Sequence, residues 1–418
     1  MTAFTVILNV PTIQPPAGFR LIGIKAFTSM TNQSIEIHKG EVTLIFDGYI
    51  YNLPALSRNL SKKSEISEVE PIRLDYSIII DIYCEFGMEY LLQVLDGTFR
   101  FVLLDQRLSL DDSQIYIVSD SMGIRPLYNI TEYSKNPSMG DTYTFTTDKP
   151  TDLGPFALAY SSSPGTCCKF TLANRVRSDW TMENPITYSL LGKSGGFPRI
   201  MYDPDGCGTS SDITQDFQEF TKKITEYHLS CAIDKHLLTR IGTIFCVVSH
   251  DDYESRIVAN LASRIIHPSS EVPETNDDQD VSYREEPSNI NIVKISIDHL
   301  SDTSPASILA FIRESCQQYN KGVAGSYQVW MSSGLLHHET QLRCVTKSIM
   351  SYDHAYREYL HQIGEDHLIQ SLIEPGKEMG LEIAFPFLER SWLQYYVSIH
   401  PHYRYSTSIV EESMKDYL

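Results

Sequence analysis

The chain has 418 residues, carries a formal net charge of −19 at pH 7, and is 42% hydrophobic and 21% charged, the balance of a folded water-soluble protein. That length predicts two domains, each able to bury its own core. The acidic balance excludes a nucleic-acid surface, which needs clustered Lys and Arg, and no apolar run reaches the ~20 residues that insert across a membrane.

Met1-Thr-Ala-Phe-Thr lacks the basic start of a signal or transit peptide, so a cytoplasmic location is expected. Residues 4–9 (Phe-Thr-Val-Ile-Leu-Asn) are a buried-strand candidate. Ile78 to Phe86 is predicted helical, with Gly87 as its C-cap because glycine adopts left-handed geometry freely. Asp96-Gly97 is a turn dipeptide, and Thr98–Leu104 follows as a strand with Phe99, Phe101 and Leu103 on one face. Ile115 opens a short apolar strand that leads to a turn hinged on Gly123. Pro126 then pushes Arg125 into extended geometry, so no helix runs through this stretch. The result is a hairpin-rich sheet rather than a βαβ unit. Residues 130–152 and 164–212 are rich in Ser, Thr, Gly, Pro and Asp; the first is expected to be a loop and the second an interdomain connector with one or two strands.

Beyond Asp212 the pattern changes. Asp212 and Gln215 offer a capping box for a long helix. Ile213, Phe217, Phe220, Ile224, Tyr227 and Cys231 recur at helical spacing and are expected on its packed face. Ile241–Val248 is consistent with a buried parallel strand; it ends in Ser249-His-Asp-Asp-Tyr-Glu-Ser-Arg256 and a helix, Ile257–Ile266. The acidic, Pro- and Ser-containing stretch 267–288 is expected to be a disordered loop. Asn291–Ile297 is the next strand, Ala306–Tyr319 the next helix, and Trp392–Ile399 an amphipathic helix ending before Pro401. Strand and helix alternate, as a parallel sheet requires. Eight cysteines are scattered with no C-x-x-C pair, and Cys167-Cys168 are expected to be reduced thiols. His337-His338-Glu339 lacks the i,i+4 histidine pair of a helical zinc motif, so no metal is expected.

Two phrases, LDGTFRFVLLD (residues 95–105) and VSDSMGIRPLYN (residues 118–129), closely resemble glutamine amidotransferase domains of the N-terminal-nucleophile type, and among these the asparagine synthetases. Met379-Gly-Leu-Glu-Ile-Ala-Phe-Pro-Phe-Leu-Glu389 is similar to a synthetase phrase near the other end. The resemblance implies an N-terminal-nucleophile-type sandwich over residues 1–165, two stacked and mainly antiparallel sheets between helices. It implies a connector over 166–212, and over 213–418 an asparagine synthetase-like α/β domain of the adenine-nucleotide α-hydrolase, or PP-loop, type.

The resemblance also assigns candidate site residues. Thr2 stands where the family has its nucleophilic cysteine; it is either a weaker nucleophile with a free amine or simply the second residue of an exposed start. Arg20 matches the arginine that clamps the glutamine carboxylate, and Asp75 the carboxylate that holds its amine. Asp47-Gly48 replaces an Asn-Gly pair whose amide donates to the oxyanion, a donor worth roughly 2.7–4 kcal/mol. Ser249 and Ser255 remain from a pyrophosphate loop whose glycines are gone. Asp251, Asp252 and Glu254 are expected to put three carboxylates toward the triphosphate. Glu382 matches the family's Gly-Leu-Glu, while Ala384 replaces its arginine. These changes point to a pseudoenzyme with a structural or binding role and no cofactor. The alternative is a working glutamine-hydrolysing synthetase, using ATP and Mg²⁺, or a residual glutaminase. Glutamine, a protein partner or a second copy are the partners considered.

Overall fold

The computed structural model describes residues 4–10, 16–23, 25–30, 34–61, 75–107, 112–135, 140–151, 153–172, 179–188, 211–239, 242–267, 290–321, 325–363, 367–399, 401–406 and 409–418. Contacts divide the chain into two compact units, residues 1–194 with 361–366, and residues 195–360 with 367–418. Among the described residues no helix is long and apolar enough to cross a membrane.

In the first unit the chain runs β1 (Phe4–Leu8), β2 (Arg20–Gly23), β3 (Ala26–Met30), β4 (Ile35–Lys39) and β5 (Val42–Ile50). Helices α1 (Leu53–Ser61), α2 (Ser77–Phe86) and α3 (Met88–Val94) follow. Then come β6 (Gly97–Asp105), β7 (Gln114–Ser119), β8 (Tyr128–Glu132), β9 (Thr142–Thr146), β10 (Ala157–Ser161), β11 (Thr166–Leu172), β12 (Trp180–Met182) and β13 (Ile186–Thr187). They form two antiparallel sheets, ordered β10-β8-β9-β1-β3-β2 and β12-β11-β7-β6-β5-β4, with β13 also on β11. Period-2 alternation sorts the second sheet's apolar residues to two faces. Ile45, Val102, Leu104, Ile115 and Ile117 meet Phe4, Val6, Leu8 and Phe145 of the first sheet. Phe46, Phe99, Phe101 and Leu103 meet Ile79, Ile80, Leu91 and Leu92 from α2 and α3.

The stacked sheets agree with expectation. Their place between two helix layers does not hold among the described residues, because α1, α2 and α3 all pack on the second sheet through Leu53, Ile79 and Leu91. The Asp96-Gly97 dipeptide joins α3 to β6, with Gly97 already in the strand and paired with Ile50.

The second unit opens with α4 (Ser211–Leu238), then β14 (Gly242–Val248), α5 (Tyr253–Ile266), β15 (Ile290–Ser296), α6 (Pro305–Tyr319) and β16 (Tyr327–Trp330). It continues with α7 (Leu335–Val345), α8 (Ile349–Gln362), α9 (His367–Glu378), β17 (Leu381–Ala384), α10 (Arg390–Ser398), α11 (Pro401–Ser406) and α12 (Ile409–Ser413). Its sheet is ordered β15-β14-β16-β17, and each pair is parallel. The chain leaves β14 toward β15 and returns across it to β16, so the winding direction switches between β14 and β16. In open α/β sheets the carboxyl ends at such a switch form the ligand crevice.

Helix α4 corrects one expectation. Phe220 and Tyr227 are 58% and 64% exposed, whereas Thr221, Thr225, Leu229, Ala232, Ile233 and Leu237 are buried. The packed stripe is thus rotated from the predicted one. Its small residues suit close helix packing, and Thr225 satisfies its hydroxyl on the Thr221 carbonyl and on Tyr395. The helix also begins at Ser211, which puts Asp212 inside it rather than at the cap.

Candidate functional site

Thr2 and residues 268–288 of the acidic insertion lie outside the described residues. The remaining candidates fall into one set in each unit.

In the first unit Asp47 and Arg100 are direct cross-strand partners on β5 and β6. Both lie on the faces turned toward the other sheet, and their side chains are 3% and 0% exposed. Arg100 Nε donates to Asp47 Oδ2 at 2.9 Å, and Arg100 also donates to the Pro126 carbonyl. Arg125 Nη1 donates to Asp47 Oδ1 at 3.3 Å, with its guanidinium 5.4 Å from the centre of the Tyr49 ring. The carboxylate that replaces the oxyanion donor is therefore held by two guanidinium groups. Sequence reasoning missed both arginines as partners, although each lies in a family-like phrase; the signal was a new acidic residue needing a buried counter-charge.

Asp120 shapes the loop that delivers Arg125. Fully buried, its carboxylate accepts from the backbone N–H groups of Met122 at 2.9 Å, Ile124 at 3.2 Å and Arg125 at 3.2 Å. Loss of hydration outweighs those donors and pushes its pKa up to about 6. Gly48 is required by geometry. Its φ is +134°, and a Cβ there would sit 2.3 Å from the Thr98 carbonyl oxygen.

Arg20 forms an ion pair with Glu36 on β4, and Glu36 also lies 3.1 Å from His38 Nε2. Asp75 is exposed and accepts the Ser77 N–H at 2.9 Å where α2 begins. The pairs formed by the predicted residues are thus three separate sets: Arg20 with Glu36, Asp47 with Arg100 and Arg125, and Asp75 with Ser77.

In the second unit the loop after β14 turns onto α5 at the switch-point crevice. Ser255 Oγ accepts the Ser249 N–H at 3.2 Å and donates to the Asp252 carbonyl at 2.9 Å. Asp252 caps α5 by accepting from the Glu254 N–H at 3.1 Å. Glu254 corrects the expected trio of phosphate-facing carboxylates, since it is 1% exposed. It bridges to the loop after β16, accepting from Ser333 N–H at 2.5 Å, Ser333 Oγ–H at 2.6 Å and Leu336 N–H at 3.4 Å. Burial, with Asp252 adding like charge, pushes its pKa up to about 7.

A residue not singled out from sequence, Asp298, accepts from Ser249 Oγ–H at 2.8 Å and from His250 N–H at 2.7 Å. Those donors, the His250 N–H foremost, hold its carboxyl below the usual range. Both loops at the crevice therefore spend N–H and O–H donors on carboxylates of the same unit. No motif pointed to Asp298, because it acts from the far end of β15.

His337, His338 and Glu339 separate into three roles. His337 Nε2 pairs with Gln341 at 2.8 Å, His338 stacks on Tyr359 at 3.6 Å, and Glu339 is buried. Among the described residues no group of three His, Cys, Asp or Glu could hold a metal ion. Glu382, on β17, accepts from Ser326 Oγ at 2.7 Å. The Pro386-Phe387-Leu388 part of the same phrase is a buried 3₁₀ turn, and Phe387 packs edge-on against Trp392.

Residues 17–148 match the family model described as "Glutamine amidotransferase domain". The chain is 31% identical over 85 residues to the glutamine-hydrolyzing asparagine synthetase of Mesocricetus auratus, covering 20% of this chain and 13% of that protein. It is 38% identical over 88 residues to a glutamine-hydrolyzing asparagine synthetase of Oryza sativa subsp. japonica, covering 21% and 13%. The matched stretch thus spans about an eighth of these curated relatives. Among solved structures, glutamine phosphoribosylpyrophosphate amidotransferase from B. subtilis, complexed with ADP and GMP, aligns with 79% of this chain and 75% of its own, at 11% identity and a TM-score of 0.27. Residues 17–148 are thus a glutamine amidotransferase domain within the antiparallel sandwich, and the chain is locally similar to the glutamine-hydrolyzing asparagine synthetases.

Proposed function

We propose that this protein is a pseudoenzyme of the asparagine synthetase type. In this reading it has lost ATP-dependent amidation, keeps glutamine as the ligand of its first unit, and serves a structural or binding role. The observation that carries the proposal is the self-occupied crevice of the second unit. Glu254 takes the N–H groups of Ser333 and Leu336, and Asp298 takes the His250 N–H and the Ser249 hydroxyl. A triphosphate needs such donors at a helix start, and it would meet carboxylates instead. Two like charges near 4 Å cost about 4 kcal/mol at an effective dielectric of ~20, before screening. ATP and Mg²⁺ do not fit this arrangement, so no synthetase step is derived through them.

Residual glutaminase is the second reading, favoured by the backbone geometry at Gly48; Arg20 and Asp75 keep the family's residue types but stand in separate pairs, with Glu36 and with Ser77. The two guanidinium groups on Asp47 offset its charge, so it repels an oxyanion less than a lone carboxylate would. The family's neutral amide donor is still replaced, and a hydroxyl at Thr2 is a weaker nucleophile than a thiol.

One assay separates the readings. Glutamate release from glutamine is measured for the parent, checked by mass spectrometry for an exposed Thr2 amine, and for Thr2→Ala. The pseudoenzyme reading expects equal, background rates. A parent rate at least about tenfold above Thr2→Ala, a difference of about 1.4 kcal/mol in barrier, would establish the glutaminase instead.

A further inference from the structure

The apolar stripe that the sequence places on α4 remains at the surface. Phe220, Tyr227 and Leu238 are each at least half exposed, and Ile224 and Cys231 are half-buried. At about 3.6 residues per turn this row lies on the side of the helix opposite Thr225, Leu229 and Ala232, which pack inward. Its spacing alternates four and three residues, through Phe220, Ile224, Tyr227, Cys231, Asp234 and Leu238. In the sequence the same alternation runs back to Phe217 and Ile213. A strict alternation of this kind is the narrow seam of a two-stranded coiled coil, whereas a helix resting on a core carries a wider stripe. Contiguous exposed apolar surface of this sort marks an interaction site.

We propose that α4 pairs with α4 of a second copy of this chain, antiparallel across a two-fold axis, with Phe220 of each copy level with Leu238 of the other. That register sets Tyr227 level with Cys231, and Ile224 level with Asp234, the one charged member of the seam. Charge selects both the occupant and the direction. Lys223 and Asp234 lie on the same flank of the row, and Lys223 is exposed, pairing along the helix with Glu219. An antiparallel two-fold pair brings like flanks together, so Lys223 of each copy meets Asp234 of the other. A parallel pair would set Asp234 against Asp234. The chain as a whole is strongly acidic and repels its own copy, so self-contact needs a locally balanced surface. Residues 219–238 supply one, since Lys222, Lys223 and Lys235 match Glu219, Glu226 and Asp234 in number.

The area fits a reversible dimer. With roughly 150–250 Å² for each fully covered aromatic ring, the seam residues of both copies together bury on the order of 1,000 Å², the lower end for a specific interface. Dissociation in the micromolar range is therefore expected. The pairing is independent of the crevice and holds whether or not the first unit hydrolyses glutamine.

The test is sedimentation equilibrium of the full chain from about 1 to about 100 µM, the range in which an interface of this size dissociates. The parent mass should rise reversibly from 47.6 kDa toward twice that value. Tyr227→Glu, at an exposed position, should stay monomeric throughout with an unchanged thermal melt. Lys223→Glu and Asp234→Lys each create like-charge pairs, and each should weaken self-association at least about tenfold. An equimolar mixture of these two variants should form a heterodimer as tight as the parent dimer, because both cross-pairs are then of opposite sign. Should Asp234→Lys fail to fold, Tyr227→Glu and Lys223→Glu decide the matter. A parent that is monomeric at the highest concentration, a dimer indifferent to Tyr227→Glu or Lys223→Glu, or a mixture of folded variants that does not associate would each overturn the pairing.

Discussion

Asp47→Asn, which restores the residue found in the related amidotransferases, is expected to destabilise the first unit by about 3–5 kcal/mol rather than to revive it. The reason is the pair of guanidinium groups on that carboxylate. Arg100 is fully buried, and its direct cross-strand partner is Asp47. Arg125 reaches the other carboxylate oxygen at 3.3 Å. An asparagine amide has no charge to offset either one, and its NH₂ end is a donor aimed at donors. Urea unfolding followed by sheet-sensitive circular dichroism gives the loss directly. A change below about 1 kcal/mol would show that the ion triplet contributes little and that the sandwich tolerates the amide. Sequence likeness alone misleads at this site, because in this chain two buried arginines depend on the Asp47 carboxylate.

Asp120→Ala carries the second large effect. Removing the carboxylate leaves the N–H groups of Met122, Ile124 and Arg125 without the acceptor they share in a site closed to water. Each orphaned buried donor costs roughly 1–3 kcal/mol, and because they share one acceptor the costs do not simply add. A total loss of about 3 kcal/mol or more is expected. Asp120→Asn, which keeps one carbonyl oxygen, should lose about half as much. Equal, small losses in the two variants would mean that the loop rebuilds its hydrogen bonds elsewhere.

Much of the scaffold was legible in the sequence because its signals are local. The alternation in Thr98–Leu104 fixes which residues of β6 face α2 and α3, and the strand–helix alternation beyond residue 241 gives the parallel sheet. What stayed hidden depends on contacts distant in the chain. The pairing of Asp47 with Arg100 follows from strand register across 53 residues, after three intervening helices. Asp298 meets the loop after β14 only because β15 is its parallel neighbour. Glu254 looked like one more surface acid in an acidic loop. Its position in the first turn of α5, two residues beyond the capping Asp252, aims it into the protein and against Ser333. On α4 two helical stripes of similar length compete, and the smaller side chains pack because α5, α10 and α12 approach closely there. The placement of all three described helices of the first unit on one sheet is likewise a tertiary choice, made by where the chain between β5 and β6 can reach.

The central claim is that the crevice in the second unit is filled by the protein's own carboxylates. Isothermal titration of the full chain with ATP and Mg²⁺ tests it most directly. The account predicts no saturable heat up to millimolar nucleotide, a ceiling of about −4 kcal/mol of binding. Saturable binding in the micromolar range, abolished by Ser249→Ala together with Ser255→Ala, would contradict it.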